Sequence, residues 1–459
     1  MKSLINNIVL GVCFVLFINT MPVQAAFKMP KYETYTLNNG LQVYLMQQSE
    51  VPMVNISLVL KAGAIHDGKQ FGLANLTGES IQFGSGDLSK TEIEDELAFL
   101  GANLSSVTST EMTSLNISMM TKDKAKLLPI FRDIAINPTF DKAEFDKFKK
   151  RFLTQLEQRK ESPRGIINDA FSRLYFGEHP YGNPLSGNDK TVAKIELADV
   201  KSFYKNYYTP KNSALIIVGD FKKKSWKKSI RKLFGKWKGN EPAEMLMPLG
   251  ASPTQSNVLL IDKDDAIETT FLIGGKGISA NHPDAVAVQV INTILGGRFT
   301  SWLNDELRVN SGLTYGARSR FNSYQYGGSF TISTFTKKAT TFEAVDLATK
   351  TFMRLWEKGI DAETLSSAKA YVKGQYPPRY ETSGQLARLL SRMWALGLDD
   401  SFINDFEKNV DSLDVDKANE IARRLFPKDN LQYVLVGKAD DIREQAKTYG
   451  KLREISIKD

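Results

Sequence analysis

Hydrophobic positions follow two rhythms along this chain. Short alternating runs at 115–119 and 329–333 predict strands, and longer helical patterns at 141–160 and 341–358 predict amphipathic helices. A third pattern occurs twice. Residues 203–208 read as the end of a helix, Thr209-Pro210-Lys211-Asn212 as a turn, and 214–218 as a buried strand closed by Gly219. Residues 422–426, Pro427-Lys428-Asp429-Asn430, 432–436 and Gly437 repeat it, offset by 217 at the proline and 218 at the glycine. The strands 55–60 and 269–273, each running into a glycine-bearing segment, match less closely. This punctuation predicts two similar domains, 27–238 and 256–459, joined by a linker at 239–255 that holds three prolines and few charges. Mixed clusters of strands and helices favour an α+β fold over a doubly wound parallel sheet.

Between the halves, 222–238 holds nine Lys or Arg in seventeen residues, with Trp226, Ile230, Leu233 and Trp237 at helical spacing. The stripe predicts a helix that closes the first domain, its basic face free for weak contact with an anionic surface. The N-terminus follows another rule. Lys2, the apolar stretch 8–18 and Val23-Gln24-Ala25 form the charge, core and cleavage site of a secretory signal peptide over 1–25. The apolar stretch is too short to span a bilayer. Removal of the signal leaves a secreted or periplasmic chain with no transmembrane span. It also removes Cys13, the only cysteine, and with it disulfides, thiolate zinc sites and cysteine nucleophiles. Sixty Lys and Arg against 52 Asp and Glu give +8, a mild basic bias that is no nucleic-acid footprint.

Candidate chemistry is sparse. His66, His179 and His282 are the only histidines, and none has another within five residues, so no helical two-histidine zinc motif exists. His179 and His282 each precede a proline and read as loop or capping residues. There is no Walker loop and no G-x-S-x-G elbow.

Several segments nevertheless resemble one family, the pitrilysin or inverzincin zinc peptidases. Tyr35-Thr36-Leu37-Asn38-Asn39-Gly40-Leu41-Gln42-Val43 looks like the family's opening strand pair. Gly72-Leu73-Ala74 and Phe83-Gly84-Ser85 bracket the place of its H-x-x-E-H helix, and His179-Pro180-Tyr181-Gly182-Asn183-Pro184 with Gly187 looks like its H-P-Y-G-x-P loop. In the second half Leu295-Gly296-Gly297, Ser301, Leu303, Glu306-Leu307-Arg308 and Gly312-Leu313-Thr314-Tyr315 resemble its second-domain signature. The resemblance covers nearly the whole mature chain. It implies two pitrilysin-type domains, each a largely antiparallel sheet packed with helices, forming a half clam-shell.

The departure from the family is equally specific. Asn75 and Glu79 stand where the resemblance places the zinc histidines, Gly78 at the catalytic glutamate and Gln155 at the third ligand. Amide oxygens are weak zinc donors, and glycine can take no proton from a metal-bound water. Glu79, the one carboxylate left, reads as a solvated helix glutamate. Arg308 and Tyr315, by contrast, match an arginine and tyrosine seven residues apart that the family's non-catalytic halves extend toward the zinc of a partner. A guanidinium can hold a substrate carbonyl and a phenol can donate to a developing oxyanion. The expectation is a non-catalytic subunit that binds no cofactor. It would pair with a zinc-bearing homologue in a periplasmic peptidase, close the chamber, bind peptide and supply Arg308 and Tyr315. Alternatives are a stand-alone peptide-binding or chaperone-like protein, and a structural assembly subunit.

Overall fold

The computed structural model describes residues 27–243, Met245, Met247, Leu249 and 252–458. The signal peptide at 1–25 and part of the linker at 239–255 lie outside these residues. Two six-stranded sheets carry the fold. The first contains β1 (Glu33–Thr36), β2 (Gln42–Gln47), β3 (Met53–Leu60), β4 (Asn103–Thr108), β5 (Thr113–Met120) and β6 (Ser213–Gly219), in the order β1-β2-β6-β3-β5-β4. The second contains β7 (Asn257–Asp262), β8 (Glu268–Lys276), β9 (Arg318–Ser323), β10 (Gly328–Lys337), β11 (Gln432–Gly437) and β12 (Lys451–Ser456), in the order β12-β7-β11-β8-β10-β9.

Strands β2 to β6 and β7 to β11 therefore follow the same path. In each half the strand of the twice-repeated pattern is inserted parallel to the first of the five and antiparallel to the second. Only the outermost strand differs. β1 precedes β2 and pairs antiparallel, whereas β12 comes from the C-terminus and pairs parallel to β7. β6 and β11 are buried at every position, which their unbroken apolar runs require of central strands covered on both faces. β5 instead buries Thr113, Leu115, Ile117 and Met119 in alternation.

One face of each sheet packs on helices of its own half. The basic helix Lys223–Phe234 belongs there, with Trp226, Ile230, Phe234 and the following Trp237 buried against the first sheet's core. Leu233, expected in that stripe, is only partly buried; Phe234 takes its place. The opposite faces are covered by exchange. Helix Pro163–Phe176 of the first half lays Ile167 and Phe171 on Leu259, Ile261, Leu272, Val434 and Val436 of the second sheet. Helix Ser383–Leu396 of the second half lays Leu386, Ala387 and Leu390 on Met46, Val59, Ala214, Ile216 and Val218 of the first. Each half thus caps the other. Further ties reinforce the join: Tyr181 donates to Glu111 at 2.6 Å, and Gln325 N–H from the second half donates to the same carboxylate at 2.9 Å. Among the described residues no helix is long and apolar enough to cross a membrane.

Candidate functional site

The first set of candidate residues lies on helix α1 (Leu73–Ser80). Its start is built by a buried carboxylate. Asp67 accepts from Gly72 N–H and Ala74 N–H, both at 2.7 Å, satisfying two of the helix's orphan donors. Gly72 sits at φ +94°, and a side chain there would strike the Ser186 carbonyl. The loop that resembles H-P-Y-G-x-P is therefore scaffolding for α1. His179 Nδ1 accepts from Tyr181 N–H to turn the chain, and Asn183 donates to the Ala64 carbonyl. His282 turns the chain the same way with Asp284 N–H, and His66 Nδ1 accepts from Gly63 N–H.

Asn75 and Glu79 share one face of α1, four residues apart. Gly78 faces the sheet. A Cβ placed there would lie 2.7 Å from Thr108 Oγ1 and 3.0 Å from Ser106 Oγ, so the helix has closed onto β4 at the position of the missing acid. Gln155, on helix α2 (Lys142–Lys160), is exposed to solvent while Leu156 beside it is buried. Glu79 is not the solvated residue expected from the sequence. It is half-buried, burial pushes its carboxyl above the usual range, and the charge of Arg151 opposes that rise. The helix that would have brought a third ligand thus brings a cation. Among the described residues no three His, Cys, Asp or Glu side chains converge as a metal site.

His66 and Asp67 titrate in opposite senses. Burial takes His66, tilted against the Tyr207 ring at 4.6 Å, down to about 4, and it pushes Asp67 up to about 7. Below its ordinary value of 6.5 the unfolded His66 gains a proton that the folded residue refuses. Its contribution to stability is therefore present above pH 6.5 and lost as pH falls toward 4. Asp67 has the reverse sign, its contribution being present below its ordinary value of 3.8 and lost as pH rises toward 7. Comparison with His66→Gln cancels the Asp67 effect. The stability difference between wild type and variant, from urea midpoints, should shrink by about 3 kcal/mol between pH 7 and pH 4. A difference that stays constant with pH would mean that His66 is not buried in its neutral form.

The second set is built differently. A short helix, Trp302–Asn304, widens into a π-helical turn, Asp305–Asn310, whose buried Leu307 offers one carbonyl to Leu313 N–H at 2.9 Å and Thr314 N–H at 3.2 Å. Gly312, at φ +66°, allows this return. Thr314 is then buried and bonded to Thr334, which turns Tyr315 outward, 76% exposed. Glu306 pairs with Arg354, leaving Arg308 to a different environment. The Arg308 guanidinium carbon lies 4.7 Å from the Tyr315 ring centre and 4.6 Å from that of Phe299. Guanidinium and phenol are thus side by side, stacked and accessible. No contact among the described residues links this pair to Asn75, Gly78, Glu79 or Gln155.

The pair lies in the wall of a cavity of about 1410 Å³ that also takes in Arg318 and Arg320 of β9. Phe299 and the two β9 arginines had drawn no notice in the sequence. The alternation of Arg318 and Arg320 with buried Ser319 was the available signal.

The chain has known relatives. A family model described as Insulinase (Peptidase family M16) matches residues 42–189, and one described as Peptidase M16 inactive domain matches 194–372. The chain is 24% identical over 397 residues to an uncharacterized zinc protease, YmxG, of Bacillus subtilis, covering 86% of this chain and 96% of that one. It is 22% identical over 389 residues to a non-peptidase homologue, YmxG, of Helicobacter pylori, covering 84% and 89%. In structure it is similar to a peptidase M16 inactive domain from Pseudomonas fluorescens, with a TM-score of 0.83 and 24% identity over 89% of this chain and 98% of that one.

Proposed function

The chain belongs to peptidase family M16, and from that premise we propose that it is a non-catalytic member that completes the chamber of a zinc-bearing homologue. The chain would close a two-part periplasmic peptidase, bind peptide and extend Arg308 and Tyr315 to the partner's reacting carbonyl. The observation that carries this reading is an asymmetry. The α1 face is shut at Gly78 and offers no zinc donor set, while Arg308 and Tyr315 stand accessible in the wall of a large cavity. Exposed Phe299, Val309 and Tyr315 around Arg308 add an apolar rim of the kind that a partner covers. The outermost strand β4 gives the first sheet an edge to which an extended peptide could add, whereas the edge of β9 is capped at Ser319 by Asn292.

The test begins with the purified chain. It should carry no stoichiometric zinc by elemental analysis and should leave unstructured peptides uncut, with cleavage appearing only on addition of the homologue. Returning the four side chains with Asn75→His, Gly78→Glu, Glu79→His and Gln155→Glu should not create the site. Glu at 78 meets Thr108 and Ser106, at a cost of about 1–3 kcal/mol for overpacking. One zinc per wild-type chain, lost on Glu79→Ala, would overturn the proposal.

A stand-alone peptide binder is the second reading, since a cavity of about 1410 Å³ walled by arginine and aromatic side chains could hold peptide without hydrolysing it. Recovery of the native protein without any M16 companion, but with bound peptide, would select it.

A further inference from the structure

The cavity wall is unusual in its charge. Arg164, Arg298, Arg308, Arg318, Arg320, Arg379 and Arg392 line it, and although Asp and Glu make up 52 of the 459 residues, none does. No Lys lines it either. None of the seven guanidinium groups forms an ion pair with a described residue. Two rest on aromatic rings instead, Arg164 at 4.0 Å from Phe335 and Arg308 between Phe299 and Tyr315, whereas Arg298 already donates to the Thr300 carbonyl and the Ser367 hydroxyl. Stacking fixes the plane of a guanidinium and leaves its edge N–H groups free for a carboxylate fork. Clustered like charges repel, and an arriving anion relieves that repulsion.

We infer that the cavity selects acidic peptides, bound extended along β9 with carboxylates at alternate positions. This rests on the reading that the chamber takes peptide, and it names the class. Ser319 is buried, exchanging hydrogen bonds with Asn292, so Arg318 and Arg320 on either side of it are both presented outward. Side chains two apart on a strand recur about every 6.6–6.8 Å, and an extended peptide repeats its own at the same interval. Carboxylates at every second residue therefore meet successive arginines. A single-stranded nucleic acid would need open aromatic faces for its bases. Here the exposed rings of Phe299 and Tyr315 already hold Arg308, which leaves Tyr371 as the one other exposed ring in the described wall.

Fluorescence anisotropy with labelled ten-residue peptides tests this on the purified full chain at pH 7. Alternating Glu-Thr and Gln-Thr peptides are isosteric and differ in charge, and Lys-Thr reverses its sign. The Glu-Thr peptide should bind at least about tenfold tighter than Gln-Thr, Lys-Thr should bind weakest, and the preference should fade as salt rises and screens the pairs. Arg318→Gln with Arg320→Gln should bring Glu-Thr to within about threefold of Gln-Thr, Arg320→Gln alone should fall between, and Arg318→Glu with Arg320→Glu should favour Lys-Thr. Both positions are exposed, and circular dichroism checks that each variant is folded. Binding of none of the peptides would overturn the peptide-chamber reading itself. Equal binding of all three, or a preference untouched by the β9 variants, would overturn only the acidic assignment. A single-stranded oligonucleotide that binds more tightly than Glu-Thr would overturn it in favour of another polyanion.

Discussion

Tyr315→Phe, assayed in the complex with a zinc-bearing homologue, should lower peptide turnover by about 10²–10³, close to 3–4 kcal/mol of barrier. The substitution is narrow. The ring remains to stack on Arg308, the position is already exposed, and only one hydroxyl is lost. A donor that acts on the developing oxyanion lowers kcat and kcat/KM together, whereas a residue that only holds peptide raises KM. Arg308→Lys keeps the charge and removes both the planar fork and its fit between Phe299 and Tyr315, so turnover should fall there too. Sedimentation checks that each variant still pairs. Full activity in both variants would reduce these residues to parts of the wall.

Phe171→Ala should cost about 3–5 kcal/mol of stability, read from denaturant midpoints. Phe171 is buried although its helix leaves the first half, because the ring lies on the backbone of β8. A Cβ added at Gly274 would fall 2.6 Å from the Phe171 ring. Leu390→Ala on the reciprocal helix should cost about 2–5 kcal/mol by the same loss of cover on the first sheet. Since each helix belongs to one half in sequence and to the other in packing, both variants should shift a single unfolding transition. Two separated transitions, or a change under about 0.5 kcal/mol for Phe171→Ala, would contradict the packing described.

What the sequence made legible was local. The strands read at 55–60, 115–119, 269–273 and 329–333 fall within β3, β5, β8 and β10, and the helix read at 141–160 covers Lys142–Lys160. These segments announce themselves because one face is buried and the period is regular. Partnership was not legible. The stripe of Ile167 and Phe171 says that something covers it, and nothing in its spacing says that the cover lies some hundred residues on, at Leu259 and Leu272. Glu79 was misjudged for a related reason. Its burial comes from the packing around α1, and a helix exposed in pattern became half-closed in space. Gly78 could be recognised as a missing acid but not as a contact with β4. The arginine wall was hidden most deeply, because its members run from 164 to 392 and only the fold collects them.

The exchange of helices also sets a timetable. A chain leaving the ribosome N-terminus first has every strand of its first sheet once Gly219 has emerged, yet the helix that shields that sheet ends only at Leu396. Until then Met46, Val59, Ala214, Ile216 and Val218 form a naked apolar plane. Such a half-built state is where premature association begins. Cover for this face of the first sheet therefore arrives only when most of the second half has been made.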